Sequence, residues 1–221
     1  MKRWVLALVV LSALAPGVSC LELTGGVRAG AGGSLIYGGW VDGLRDELEG
    51  YGAAAVTGRG FVGWRVGGWI DIPLRDRLSL RIEPGLGMAG GALLASEGFD
   101  ALAGIWKIEL AVPVLAAFRI PLPVGEIVLG AGLLAAVALP VMQTWNDGIV
   151  WYEDRLTVAL ASLGAAGGAG YALPVGPGAI TFDLRVHAGF LSLALPSIDG
   201  MLDTVSVELT AGWEFRKRSA R

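Results

Sequence analysis

The chain has one cysteine and one histidine in 221 residues. A single cysteine excludes an intramolecular disulfide framework. A single histidine leaves no cluster of metal ligands. No phosphate loop or dinucleotide fingerprint is present either. The run Gly164 to Gly170 lacks the lysine or helix context that a phosphate loop needs, and reads better as a smooth strand. Neither a metal nor a cofactor is therefore expected. Charge is also scarce. Only 17% of residues are charged, against 54% hydrophobic, and the mean hydropathy is +0.61. That is too apolar for an ordinary soluble domain of this length. A formal net charge of -3 and a pI near 5.2 argue against nucleic acid as a partner.

What the chain does have is a period-two alternation, repeated eight times, in stretches of the length a tilted strand needs to cross a bilayer. Thr204 to Phe215 shows it most clearly. Val205, Val207, Leu209, Ala211, Trp213 and Phe215 share one face, and Ser206, Glu208, Thr210, Gly212 and Glu214 the other. An apolar face on every strand fits a closed barrel in lipid, where closure satisfies every backbone polar group. Membrane helices are the rival reading, because Ile127–Met142 and Leu156–Leu173 carry no charge. Pattern decides against it. Along Trp106–Leu122 the even positions are apolar, and the odd ones include Lys107, Glu109 and Arg119. Helical winding would turn some of these charges towards lipid.

Residues 1–20 read as a secretory signal peptide. Met1-Lys2-Arg3 is a basic start, Trp4 to Ala15 a short apolar core, and Pro16-Gly17-Val18-Ser19-Cys20 a small-residue cut site. Cys20 also fits a lipoprotein reading, although the usual leucine three places earlier is missing. Residues 21–221 then form one domain, an all-β, eight-stranded antiparallel up-and-down transmembrane barrel. The expected strands are Leu21–Leu35, Arg59–Leu74, Leu78–Ala95, Trp106–Leu122, Ile127–Trp145, Arg155–Leu173, Ala179–Pro196 and Thr204–Lys217. Short connections alternate with longer polar ones, the longest from Ile36 to Gly58, as in outer-membrane barrels with short periplasmic turns and long external loops. A phase break near Ser162-Leu163 suggests a bulge. Pro84, Pro113 and Pro140 sit awkwardly in central strands.

Aromatic residues gather at strand ends, as an interfacial girdle requires. Phe61, Trp64, Trp106, Trp145 and Phe190 fall near the outer rim. Phe118, Tyr171, Phe182, Trp213 and Phe215 fall near the periplasmic rim.

By parity the inward face carries Glu22 and Arg28 on the first strand, then Arg65 and Asp71 on the second. The third adds Arg81 and Glu83, and the fourth Lys107, Glu109 and Arg119. The seventh gives Asp183, Arg185 and His187, and the eighth Glu208 and Glu214. An eight-stranded barrel is barely wide enough for its own side chains, so these charges must pair. Arg185 and Glu208 are expected in one network with Arg65, Arg81, Glu83 or Asp183. The reading is a salt-bridged plug; a gated pore is the alternative, with the same ions switching partners. Leu134, Ala136, Ala138 and Pro140 would line the outer half of the lumen.

The whole mature sequence resembles, in architecture, the small eight-stranded outer-membrane barrels of the OmpA-, OmpX- and OmpW-like group. Trp213 and Phe215 resemble the terminal aromatic signal read by the barrel-assembly machinery, but Arg216-Lys217-Arg218-Ser219-Ala220-Arg221 follows it. The resemblance implies a bacterial outer-membrane location, outer-membrane lipid as surroundings, and a monomer. Its roles include structural or surface-interacting barrels and narrow channels for small or hydrophobic solutes. Lipid-modifying enzymes of this size use His with Ser and a carboxylate. His187 is alone, and neither Ser192 nor Ser206 is persuasively spaced, so no enzyme is expected. The acidic loops, with Asp42, Asp46, Glu47 and Glu49 in the first and Asp147, Glu153 and Asp154 beside Trp151 and Tyr152 in the third, could meet an extracellular ligand.

Overall fold

The computed structural model describes residues 23–96, 101–146, 151–156, 160–194 and 202–215. The expected signal peptide with Cys20, the inward Glu22 and the basic tail after Phe215 lie outside them. So does Asp147.

The strands are β1 (Thr24–Tyr37), β2 (Ala55–Arg75), β3 (Leu78–Ile82), β4 (Gly85–Ser96), β5 (Ala101–Pro121), β6 (Glu126–Asn146), β7 (Trp151–Leu156), β8 (Leu160–Val175), β9 (Gly178–Ala194) and β10 (Asp203–Phe215). One helix, α1 (Gly39–Gly50), follows β1. β3 and β4 pair in succession with both β2 and β5, so they make one ring position. β7 and β8 pair in succession with β6 and make another. β1 pairs with β2 on one side and β10 on the other, which closes an eight-position antiparallel barrel.

Alternation sorts the side chains. On β1 Arg28 and Ser34 are buried, while Val27, Ala29 and Ala31 are exposed. The polarity is inverted relative to a soluble protein. Val62, Leu133 and Leu209 are 77%, 70% and 68% exposed, whereas Glu83, Arg185 and Glu214 are each 1% exposed. Only a hydrocarbon surround makes that arrangement stable, because it takes the place of an apolar core outside the ring.

Several irregularities interrupt strict alternation. The expected third strand is interrupted at Glu83-Pro84. Pro113 is the β5 residue facing that gap, and its carbonyl accepts from Glu83 N at 2.9 Å. Proline lacks an N–H, so the two prolines share a single break in the ladder. Between Gly60 and Arg65 the β2–β4 register shifts. There Ser34 Oγ reaches across from β1, donating to Gly90 O at 2.8 Å and accepting from Gly90 N at 2.9 Å. A third shift falls at Pro140, where Lys107 pairs with Val141 but Glu109 with Ala138. The extra residue in β6 accommodates a proline that cannot donate. The bulge expected at Ser162-Leu163 lies one strand over. β8 keeps its alternation, and the extra residue is Phe190 of β9, between the pairs Leu163–Leu191 and Gly164–Gly189.

The long first connection is not simply a polar loop. Residues 39–50 form α1, whose Val41, Leu44 and Leu48 recur at helical spacing and are buried. Glu153 and Asp154, expected in the third loop, belong instead to β7, which extends the hairpin with the end of β6.

Candidate functional site: the layered lumen

The inward residues of β5 mark the depth of the lumen like a ruler. Ala101, Ala103 and Ile105 come first from the α1 end, then Lys107 and Glu109, then Ala111 and Leu115, and last Arg119. At about 3.3 Å per residue these are separate storeys.

The outermost storey is apolar. Val41, Leu44 and Leu48 of α1 join Leu93, Ala95, Ala101, Ala103, Ile105, Ala138, Val141 and Leu202 in one buried cluster. Ile36, Trp40, Val56 and Trp145 pack against it. The helix therefore fills the mouth of the barrel at the end opposite the short turns.

Beneath it lies an outer ionic group. Arg65 bridges Glu109 at 2.8 Å and Glu208 at 3.0 Å, and Lys107 Nζ is 3.1 Å from Glu109. His187 Nδ1 is 3.5 Å from Glu208 Oε1. Ser206, opposite His187 in register, donates to Glu208 at 3.1 Å and not to the imidazole. His187 is 4% exposed. Ser192 accepts from Leu202 N at 2.9 Å, away from His187.

A second apolar storey of Ala111, Leu115, Leu134, Ala136 and Ala166 separates this group from an inner one. The inner group is larger. Glu83 is held by Arg28 and Arg185, each at 2.8 Å, with Arg81 at 3.8 Å. Arg185 also meets Asp183 at 3.2 Å. Arg81 grips Asp71 through two nitrogens at 2.7 Å and lies 5.5 Å from the Trp69 ring centre. Arg119 closes the group, joining Asp71 at 2.7 Å, Glu214 at 2.9 Å and Glu126. A cavity of about 350 Å³ opens below Arg119 at the turn end, flanked by Arg75, Asp76 and Arg77. Glycine makes room for these ions. A Cβ on Gly170 would lie 2.1 Å from Asp183 Oδ1.

Thirteen of the expected lumen residues are described, and all of them face inward: Arg28, Arg65, Asp71, Arg81, Glu83, Lys107, Glu109, Arg119, Asp183, Arg185, His187, Glu208 and Glu214. They do not form one network. Arg185 and Glu208 are register partners on β9 and β10, yet Arg185 turns to Glu83 and Glu208 to Arg65. Glu126 and Trp69 join the lumen without having been expected there. Parity alone would have found Trp69; Glu126 reads from the sequence as part of a turn.

Of the girdle residues, Trp64, Phe118, Phe182, Phe190 and Phe215 are exposed, and Trp106, Tyr171 and Trp213 sit on the outward parity of their strands. The Tyr171 hydroxyl donates to Val124 O in the neighbouring turn. Two expectations are corrected. Trp145 packs on the outermost apolar cluster within the lumen, because the extra residue at Pro140 flips the parity of the strand beyond it. Phe61 has the lumenal parity of Gly63 and Arg65 and pairs with Ser34. Leu134 and Ala136 lie in the middle storey and Ala138 in the outer one; the Pro140 side chain lies outside the description.

No protein-family model matches the chain, and no curated protein matches it. Solved structures do. It is similar to the outer membrane protein OprG from Pseudomonas aeruginosa, at 14% identity over 88% of this chain and 95% of that one, with a TM-score of 0.47. It is similar to a major outer membrane protein from Thermus thermophilus, at 17% identity over 88% and 99%, with a TM-score of 0.44. Ail, the attachment invasion locus protein of Yersinia pestis, matches at 12% identity over 88% and 100%, with a TM-score of 0.39. By its own geometry, with ions inside a closed ring and aliphatic side chains outside it, this chain is an eight-stranded transmembrane β-barrel.

Proposed function

We propose that the protein is a monomeric barrel of the bacterial outer membrane, with a structural or surface-interacting role and a lumen that does not conduct. The observation that carries this reading is the closure of the lumen at several depths. Aliphatic side chains of α1 fill the outer mouth, and paired ions cross the bore twice below it. Charged side chains bridging from wall to wall leave no continuous path for hydrated ions. The acidic residues on the exposed side of α1, Asp42, Asp46, Glu47 and Glu49, then form part of an external surface for a ligand. Its insertion would be the work of the barrel-assembly machinery, reading Trp213 and Phe215 on the last strand.

Conductance tests this. Purified protein reconstituted into planar bilayers should show no steady channel at neutral pH. A reproducible open state of long lifetime would make the barrel a pore, with the ionic groups as its gate.

Sidedness tests the surface role separately. With Cys20 changed to Ser, a cysteine at Asp46 should react with an impermeant maleimide on intact cells, and one at Asp76 only after lysis. Both positions are exposed and lie at opposite ends of the barrel. Equal labelling of the two on intact cells would invert or abolish the proposed orientation.

A further inference from the structure

We infer that α1 is a detachable plug, and that the outer storey it fills is a binding chamber for an aliphatic small molecule entering from the external side. The inference rests on the proposed non-conducting barrel, because the outer ionic group serves as the chamber's floor.

The chamber's chemistry is shown by what occupies it. Val41, Leu44 and Leu48 sit against Leu93, Ile105 and Val141, so its wall selects aliphatic surface. Arg65, Lys107 and Glu109 close it below, and their charges are already satisfied by one another and by Glu208. A guest therefore needs no charge of its own.

The plug is held only by that apolar contact. Among the described residues no hydrogen bond or ion pair ties α1 to the barrel wall; its backbone bonds are internal or to its own flanks. Arg45 has its Nε buried without a partner. Gly38 and Gly52 flank the helix with φ of 110° and 100°, and no side chain caps its N-terminus. Such positions swing without steric cost. A helix of 12 residues is also marginal alone in water. Once displaced, α1 would unravel, so a guest and the folded helix compete for the same space.

The test uses 1-octanol as probe and methyl NMR of the full-length barrel in deuterated detergent. In a variant with residues 40–49 replaced by a short Gly-Ser link, octanol should give saturable shifts and intermolecular contacts at the Ile105 and Val141 methyls. The unaltered protein should show the same shifts at roughly tenfold higher octanol, because the closed state reduces apparent affinity. In that protein octanol should also speed tryptic cleavage at Arg45. If the linked variant does not fold, the double variant Leu44→Asp, Leu48→Asp expels the helix without shortening the chain and gives the same readout.

Absence of site-specific shifts in a folded variant overturns the chamber. Shifts without any change in Arg45 cleavage at saturation overturn the competition. Conductance that arises when α1 is removed means that the ionic floor is open, which overturns the non-conducting reading instead.

Discussion

A Glu83→Ala variant is expected to lose about 3–5 kcal/mol of folding free energy, the range for removing one partner of a buried ion pair. Glu83 is the hub of the inner group. Its two oxygens take Arg28 and Arg185 at 2.8 Å, and Arg81 lies 3.8 Å away. The position is 1% exposed. Without the carboxylate Arg185 keeps Asp183 and Arg81 keeps Asp71, but Arg28 has no other carboxylate among the described residues. An uncompensated guanidinium in a narrow bore is the costly product. Glu83→Gln isolates the charge, since it keeps the size and one acceptor oxygen. Arg185→Ala should cost on the order of 3 kcal/mol if the site is fully dry, because Glu83 retains Arg28 but the buried Asp183 loses Arg185. Urea titration of the reconstituted barrel, read by heat-modifiable gel migration, gives all three values. A loss under about 1 kcal/mol for Glu83→Ala would show that lumenal water solvates the arginines, and the plug would have to be redrawn as a wet channel.

The second large effect lies on the opposite face. Leu133→Arg should destabilise the barrel by about 2–4 kcal/mol in a bilayer, the cost of arginine near the midplane. Leu133 is 70% exposed and lies mid-strand in β6, between the lumen-facing Gly132 and Leu134. On a water-facing surface the same change would fall within about 0.5 kcal/mol. The sign and size therefore report which solvent the face meets. Measured in lipid vesicles, a neutral result would place this face out of the hydrocarbon.

Much of this architecture is legible in the linear pattern. Val205, Val207 and Leu209 alternate with Ser206, Glu208 and Thr210, and β10 places those two sets on opposite faces. Parity is a local property of extended backbone, so a run of a few residues suffices to read it. It fails wherever the count slips. A place near a strand end puts Trp145 in the girdle, but the extra residue at Pro140 turns it inward. The residue Phe190 does the same to Ser192, which is buried. Proline signals that some ladder bond is missing without saying which strand absorbs the defect.

The sequence by itself determined the closed antiparallel barrel, its lipid-facing and lumenal sides, and the identity of the inward charges. These depend on alternation and on the solvation cost of backbone and ions, both written residue by residue. Only the tertiary structure decided which ions pair. Arg185 and Glu208 face each other in register, yet long side chains reach across the bore, and Arg185 finds Glu83 from the far wall. It also decided that the longest connection returns as α1 to fill the mouth. The burial of Val41, Leu44 and Leu48 is settled by an inner wall drawn from β4, β5 and β6, far away in the chain. A helix too short to hold its shape alone takes that shape from the cavity that receives it.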